Sequence, residues 1–196
     1  MFKKGLWEEE KNAKVCAIDL DGVLVDYPKC WIDFINAETK NKFKSLYEAK
    51  EILIYNDYKR IKKKYRTCGV KATLPIKTNA LEFITALKKD DFKIILLTSR
   101  PYRQYREIWK DTTIWLRNNG IDIDGIIWDE EKHWAVLREF PYIRFMVEDN
   151  AEIANQVARV GYKVYVVDNE YNHQPLEKNC SRVFDLLDII KSEVLE

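Results

Sequence analysis

Two aspartates close the first apolar run of the chain. The run VCAI is followed by Asp19 and Asp21, and Gly22 comes next, which permits a sharp turn of the backbone. Residues two apart on a strand face the same side, so both carboxylates are expected at one place. Close carboxylates repel unless a positive charge offsets them, and oxygen ligands suit Mg²⁺. The pattern therefore predicts a magnesium site where a buried strand ends.

A second polar cluster follows the apolar run IILL. Thr98, Ser99 and Arg100 stand there in succession, and a helical pattern begins shortly after them. A hydroxyl and free backbone N–H groups near a helix start favour binding of an anion. Arg100 could bind a phosphate through a bidentate guanidinium contact, and a surface ion pair is an equally common role for an arginine.

A third cluster contributes more acids and a cation. Glu148 and Asp149 follow the apolar run FMV, and Lys132 opens the helical pattern that precedes this run. The two acids are expected to complete an oxygen-rich metal site, and the lysine to add a fixed positive charge. A metal, an anion cradle, a lysine and a free carboxylate together indicate phosphoryl transfer.

Short apolar segments rich in β-branched residues must position these clusters. Strands are predicted at 15–20, 92–98, around Ile126, at 143–148 and at 163–168, with helical patterns between them and a last helix from Ser181. The alternation predicts an α/β fold with a doubly wound parallel sheet and right-handed crossovers. Ligands bind such sheets beyond the carboxyl ends of the strands, where the polar clusters stand.

One long segment breaks the alternation. Residues 29–75 show no convincing strand, read as two or three helices, are rich in aromatic residues and become basic toward their end. They are predicted to form a helical cap over the end of the first strand, while 1–28 and 76–196 form the catalytic core. The run YKRIKKKYR, 58–66, is either a solvated helix face or an attraction for an anionic substrate.

Composition indicates the general class of the protein. The chain has 196 residues, 46% of them hydrophobic and 33% charged, and a net charge of +1. These values suit one globular domain and give no overall attraction to nucleic acid or to a membrane. The four cysteines form no zinc pattern, and we find no signal peptide or membrane span. We expect a reduced, cytoplasmic protein, and no pattern indicates its oligomeric state.

The clusters together resemble a known family. DLDGVLVD resembles the first motif of the haloacid dehalogenase superfamily, IILLTSR the second, Lys132 the third and FMVEDN the fourth. Their order agrees across residues 14–170, and the segment 29–75 is similar to the small cap that many members carry. The resemblance implies a Rossmann-like core and Mg²⁺-dependent phosphatase activity.

The resemblance also implies a role for each matching residue. Asp19 would be the nucleophile that takes the phosphoryl group, and Asp21 the general acid and then the base. Thr98 would donate a hydrogen bond to a phosphate oxygen, and Lys132 would neutralise the phosphoryl group and Asp19.

The same resemblance implies a set of metal ligands. Asp19 would bind Mg²⁺ through its carboxylate and Asp21 through its backbone carbonyl. Asp149, together with Glu148, would complete the ligands that the protein supplies. Many members have two aspartates where this chain has Glu148 and Asp149.

Within the superfamily, two groups look most similar. The 5'(3')-deoxyribonucleotidases have a comparable cap, and the phosphatase domain of polynucleotide kinase-phosphatases has an arginine placed like Arg100. A nucleoside monophosphate is therefore the expected substrate, with cap aromatics suited to stacking on a base. A phosphatase of nucleic-acid ends, a phosphotransferase or phosphonatase, and a non-catalytic nucleotide-binding domain remain alternatives.

Overall fold

In the computed structural model, which describes residues 13–194, parallel strands form a six-stranded sheet. The strands are β1 (Val15–Ile18), β2 (Lys93–Thr98), β3 (Gly125–Trp128), β4 (Phe145–Glu148), β5 (Val164–Val167) and β6 (Cys180–Val183). Their order is β3-β2-β1-β4-β5-β6, and every neighbouring pair is parallel. The prediction of an α/β fold with a doubly wound parallel sheet is confirmed.

Helices lie between most of the strands and after the last one. They are α1 (Lys29–Thr39), α2 (Leu46–Ile52), α3 (Tyr55–Thr67), α4 (Ala80–Lys89), α5 (Glu107–Asn118), α6 (Lys132–Glu139), α7 (Ala151–Arg159) and α8 (Leu186–Glu193). A short 3-10 helix, Val70–Thr73, lies between α3 and α4. No helix in the described part of the chain is both long and apolar enough to cross a membrane.

The interiors of the central strands are apolar, and both faces of the sheet are covered. In β1, Cys16 and Ile18 belong to one hydrophobic core, while Val15 and Ala17 belong to the other. Residues next to each other on a strand point to opposite faces, so a strand buried on both sides needs an unbroken apolar run. Helices α6 and α7 supply the second core, and the remaining helices supply the first.

The segment 29–75, called here the cap segment, folds as α1, α2, α3 and the 3-10 helix. Trp31, Phe34 and Tyr65 pack against one another, with ring centroids of Trp31 and Tyr65 4.8 Å apart. These rings belong to, or pack against, the same hydrophobic core as β1. The division of the chain into core and cap stays a prediction, and residues 1–12 and 195–196 of the predicted core lie outside the described part.

The predicted start of the last helix at Ser181 is wrong. Residues Cys180–Val183 form the edge strand β6, and α8 begins at Leu186, where the Asp185 carboxylate accepts the Leu187 backbone N–H at 2.9 Å. The sequence CSRV has mixed polarity and only Val183 of it is buried. Its strand conformation depends on pairing with β5, which no local pattern indicates.

Trp115 connects the cap segment to the core. Its ring is fully buried in α5, and its indole N–H donates to the Leu74 carbonyl at 2.7 Å. We predict that Trp115→Phe lowers the free energy of unfolding by about 2 kcal/mol, because it leaves a buried carbonyl unpaired and removes packed atoms. Urea denaturation measures the change. Trp109→Phe, at a ring that is 54% exposed, is the control, and equal losses for both variants would contradict the assignment.

Candidate active site

The acids that end β1 and β4 meet because these strands are neighbours in the sheet. The Asp19 backbone N–H donates to the Val147 carbonyl at 2.9 Å, which fixes the end of β1 beside the end of β4. Asp19, Glu148 and Asp149 are buried, and each offers an oxygen within 4.8 Å of the others. The strand order reverses between β1 and β4, which is where open α/β sheets bind ligands.

Burial and mutual repulsion make this acidic cluster unfavourable by itself. Burial, and then the charge of Glu148, raise the pKa of Asp19 above its ordinary range. Burial, Glu148 and Asp19 raise the pKa of Asp149 in the same way. The raised pKa values mean that the ionised forms of Asp19 and Asp149 are destabilised. The positive charge that protein groups supply does not fully offset this effect.

Lys132 supplies the positive charge that the protein does provide. It opens α6, it is 1% exposed, and its ammonium lies 2.7 Å from Asp19 Oδ1 and 2.7 Å from Glu148 Oε2. Burial alone would lower the pKa of Lys132, but Asp19 and Glu148 raise it above its ordinary range. The structure thus brings together the lysine and the acids that the sequence analysis selected.

Both carboxylate oxygens of Glu148 accept hydrogen bonds from protein groups. Its Oε2 accepts from Lys132, and its Oε1 accepts the backbone N–H groups of Asp149 at 3.2 Å and Asn150 at 3.1 Å. These contacts fix the Lys132 ammonium beside Asp19. The expected role of Glu148 as a metal ligand stays a prediction.

The Asp21 carboxylate forms a salt bridge with Arg100. Arg100 Nε donates to Asp21 Oδ2 at 2.7 Å, Nη2 to Oδ1 at 2.7 Å, and Nη1 to Thr112 Oγ1 at 2.9 Å. Burial alone would raise the pKa of Asp21, but Arg100 and Lys71 lower it below its ordinary range. The sequence analysis expects the Arg100 guanidinium to bind a phosphate of the substrate, whereas in this structure it contacts Asp21. The substrate-binding role of Arg100 stays a prediction.

The hydroxyl residues occupy the end of β2. Thr98 is buried, and its Oγ1 accepts the Arg100 backbone N–H at 3.3 Å. Ser99 lines the cavity into which Asp19, Asp21 and Lys132 face. The predicted anion-binding roles of Thr98 and Ser99 are compatible with this placement and stay predictions.

This main cavity has a volume of about 880 Å³. Its walls come from the strand ends, from the start of α2 at Leu46 and Tyr47, and from Tyr171 beyond β5. Ligand sites of enzymes have volumes of about 300–1,000 Å³, so the space is large enough for an organic phosphate ester. The cap segment thus forms one wall of the cavity that contains the acids.

Sequence reasoning missed Lys71. This lysine follows Val70 in the 3-10 helix, is 6% exposed, and places its ammonium 3.8 Å from Asp21 Oδ1 and 4.6 Å from the Tyr65 ring centroid. Burial, and then the charge of Arg100, lower the pKa of Lys71 to about 8. No motif identifies it, because its position depends on how the cap segment returns to the core.

Tyr171 was also missed. Its hydroxyl donates to Asp149 Oδ2, and the neighbouring Asn172 donates its side-chain N–H to the Asp149 carbonyl at 2.7 Å. The ring of Tyr171 lies edge-on to Tyr27, with centroids 6.1 Å apart. The loop after β5 therefore orients Asp149, and the only hint in the sequence is a polar stretch that follows an apolar strand.

The buried acids fit a divalent cation. The carboxylates of Asp19 and Asp149, on adjacent strand ends and with raised pKa values, are the oxygen donors that Mg²⁺ prefers. Tyr171 orients Asp149, and Lys132 orients Asp19. The geometry supports these two residues as ligands more directly than Glu148.

The backbone at Gly22 passes close to the Asp149 side chain. It has a positive φ of 91°, and a Cβ placed on it would overlap the Asp149 carboxylate. We predict that Gly22→Ala weakens Mg²⁺ binding at least about tenfold, because the carboxylate must move away from the site. Calorimetric titration with Mg²⁺ measures the change.

Gly161→Ala is the matched control for Gly22→Ala. Gly161 also has a positive φ, 101°, but an added Cβ meets nothing within 4 Å. Both variants carry a backbone strain of about 1–2 kcal/mol from the positive φ, and only Gly22→Ala also displaces Asp149. Equal Mg²⁺ affinities in the two variants would show that the close approach at Gly22 is unimportant for the metal.

Removal of the Tyr171 hydroxyl tests whether it orients Asp149. We predict that Tyr171→Phe weakens Mg²⁺ binding about tenfold, since a partner that orients a metal ligand typically contributes this much or more. The rise in melting temperature with Mg²⁺ concentration gives the affinity. Tyr162→Phe, which loses a hydrogen bond to the Pro141 carbonyl, is the control. An unchanged Mg²⁺ affinity in Tyr171→Phe would contradict the role.

Comparison with known proteins gives a relative in sequence and several neighbours in structure. No protein-family model matches the chain. A nucleotidase of Clostridium acetobutylicum is 25% identical over 181 residues, which cover 89% of this chain and 90% of that protein. The likeness therefore extends over most of both chains.

Solved structures give the same fold. A haloacid dehalogenase-like hydrolase of Streptococcus pneumoniae matches with a TM-score of 0.58 and 11% identity, covering 92% of this chain and 98% of that one. A predicted phosphoglycolate phosphatase of Haemophilus somnus matches with a TM-score of 0.61 and 17% identity, covering 92% and 97%. The haloacid dehalogenase-like fold predicted from the sequence is confirmed.

Proposed function

We propose that this haloacid dehalogenase-like chain is a Mg²⁺-dependent phosphomonoesterase that hydrolyses a nucleoside or deoxynucleoside monophosphate. The observation that carries the proposal is the environment of Asp19. Its carboxylate ends β1, faces the main cavity and is contacted on Oδ1 by the buried Lys132 ammonium. This is the arrangement that a carboxylate nucleophile needs beside an anionic phosphoryl group.

The residues divide the reaction between them. Asp19 attacks phosphorus through Oδ2, the bond from phosphorus to the leaving oxygen breaks, and an aspartyl-phosphate forms on Asp19. Asp21 passes a proton to the leaving oxygen and later accepts one from the water that releases phosphate. The contact with Arg100 favours the carboxylate form of Asp21, which is the form that accepts a proton from water. To act as the acid in the first step, Asp21 must lose this contact and take a proton from solvent.

The surrounding groups stabilise charge on the phosphoryl group. Lys132 contacts Asp19 and is placed to neutralise the phosphoryl oxygens, with Thr98 and Ser99 as further donors at the end of β2. Asp19 and Asp149 are the proposed carboxylate ligands, with the Asp21 carbonyl beside them. When bound, Mg²⁺ supplies positive charge that balances the phosphoryl oxygens during transfer.

A nucleotide substrate is supported by the relative and by the cavity. The protein of Clostridium acetobutylicum that matches over 90% of its length is named a nucleotidase. The main cavity, of about 880 Å³, has room for a nucleoside next to the acids. The relatives give no support for action on nucleic-acid ends. Four free cysteines agree with action in the reducing cytoplasm.

Asp19→Asn tests the mechanism. We predict that it lowers kcat for the best nucleotide by roughly a thousandfold or more, because an amide is a poor nucleophile and a poor metal ligand. Phosphate release over a panel of nucleoside monophosphates gives the rate. Asp33→Asn is the control, since this exposed acid on α1 pairs only with Lys29 among the described residues. Full activity in Asp19→Asn would refute the proposal.

The same panel separates the alternatives. A chelator is expected to abolish phosphate release from the wild-type protein, and added Mg²⁺ to restore it. Faster release from a 3'- or 5'-phosphorylated oligonucleotide than from any mononucleotide would favour a phosphatase of nucleic-acid ends. Nucleotide binding without turnover over the whole panel would favour a non-catalytic domain.

A further inference from the structure

A smaller cleft opens beside the main cavity, between the cap segment and the end of β2. It has a volume of about 240 Å³ and is called here the side cleft. Among the described residues, its charged lining consists of four cations and one carboxylate, namely Lys62, Arg66, Lys71, Arg100 and Asp21. The walls of this cleft therefore carry an excess of positive charge.

The side cleft is continuous with the place where the reaction is proposed. Asp21, Tyr27, Lys62 and Ser99 line both the side cleft and the main cavity. A molecule whose phosphoryl group lies at Asp19 can therefore extend from the main cavity into the side cleft. A group in the side cleft would belong to the leaving group of the ester.

Protein partners leave the positive charge of the side cleft largely uncompensated. Both carboxylate oxygens of Asp21 accept from Arg100, and the Lys71 ammonium stays 3.8 Å away, beyond hydrogen-bond distance. The Arg66 guanidinium lies over the Tyr105 ring at 5.4 Å from its centroid. Lys62 lies at 6.0 Å over the Tyr58 ring. Contacts with aromatic rings stabilise a cation without neutralising it.

Neighbouring acids are engaged elsewhere. On the cap segment, Asp57 pairs with Arg60 and Glu38 pairs with Lys64, both on exposed surface. Asp111 is buried in α5, within the electrostatic reach of Arg100 and Lys71, but it does not line the side cleft. Even with Asp111 counted, cations outnumber carboxylates around the side cleft, which favours an anion as its occupant.

The aromatic walls do not favour a stacked base in the side cleft. Trp31 and Tyr65 are 3% and 5% exposed, and they pack on each other and on Phe34. Their polar atoms are also used internally: the Trp31 indole N–H donates to the Tyr58 hydroxyl, and the Tyr65 hydroxyl contacts Cys30 Sγ at 3.4 Å. These rings are part of the core, so the base of a nucleotide fits better in the main cavity.

We propose that the side cleft binds a second phosphate group, carried by the leaving group of the substrate. The inference rests on the proposed function and narrows its substrate class to nucleotides with two separate phosphates, such as a nucleoside 3',5'-bisphosphate. Arg66, Lys62 and Lys71 supply several cationic N–H donors around one small space, which suits the oxygens of a phosphate. The nucleoside itself occupies the main cavity.

Matched substrates test the proposal. The ratio of kcat/KM for thymidine 3',5'-bisphosphate to that for thymidine 5'-monophosphate is expected to be at least about ten, mainly through KM, since charge-assisted hydrogen bonds contribute this much. The ratio should fall as salt rises from about 20 to about 300 mM. Arg66→Gln should reduce it to near one, and Arg66→Lys should restore part of it.

Arg60→Gln is the control for the location of the effect. Arg60 lies on the same helix and carries the same charge, but it is exposed and pairs with Asp57. The ratio should be unchanged in this variant. A ratio near one in the wild-type protein, or equal losses in Arg60→Gln and Arg66→Gln, would overturn the proposal.

Binding measurements separate this proposal from the proposed function. Calorimetry on Asp19→Asn compares the affinities for the bisphosphate and the monophosphate without turnover. At least about tenfold tighter binding of the bisphosphate supports the side cleft even if the wild-type protein hydrolyses neither compound. Hydrolysis of the monophosphate with equal affinity for both compounds would refute the side cleft and leave the phosphatase standing.

Discussion

The buried ammonium of Lys132 lies between carboxylates that two neighbouring strands bring to one edge of the sheet. Parallel pairing of β1 with β4 forces Asp19 and Glu148 together, and burial of two carboxylates without a partner would cost several kcal/mol each. Helix α6 positions the Lys132 ammonium next to Asp19 Oδ1 and Glu148 Oε2. The positions of Asp19, of the cation that it is proposed to bind and of the phosphoryl group all depend on this contact.

Much of this arrangement could be predicted from the sequence. Strands β1, β2 and β4 are buried on both faces and therefore read as apolar runs, and the polar residues that follow them mark the ligand edge of the sheet. Lys132 was found through its place before β4 and the family resemblance. Strand β6 was missed because an edge strand of mixed polarity is specified by its neighbour rather than by its own pattern.

The parts that the sequence did not indicate depend on long-range packing. Lys71 reaches Asp21 from the end of the cap segment, which is bonded to α5 through Leu74 and Trp115. Tyr171 reaches Asp149 across the end of β5. The sequence analysis selected Arg100, but only the structure shows its hydrogen bond to Asp21. An arginine in such a motif can bind a substrate phosphate or a protein carboxylate equally well.

The pairing of β1 with β4 also has a consequence for synthesis on the ribosome. Lys132 and strand β4, which complete the surroundings of Asp19, are synthesised long after Asp19 and Asp21. Until then Asp19 has neither its buried cation nor the neighbouring strand β4, although Asp21 can already meet Lys71 and Arg100. Strand β1 can pair with β2 before then, but its other edge stays unpaired until β4 has been made.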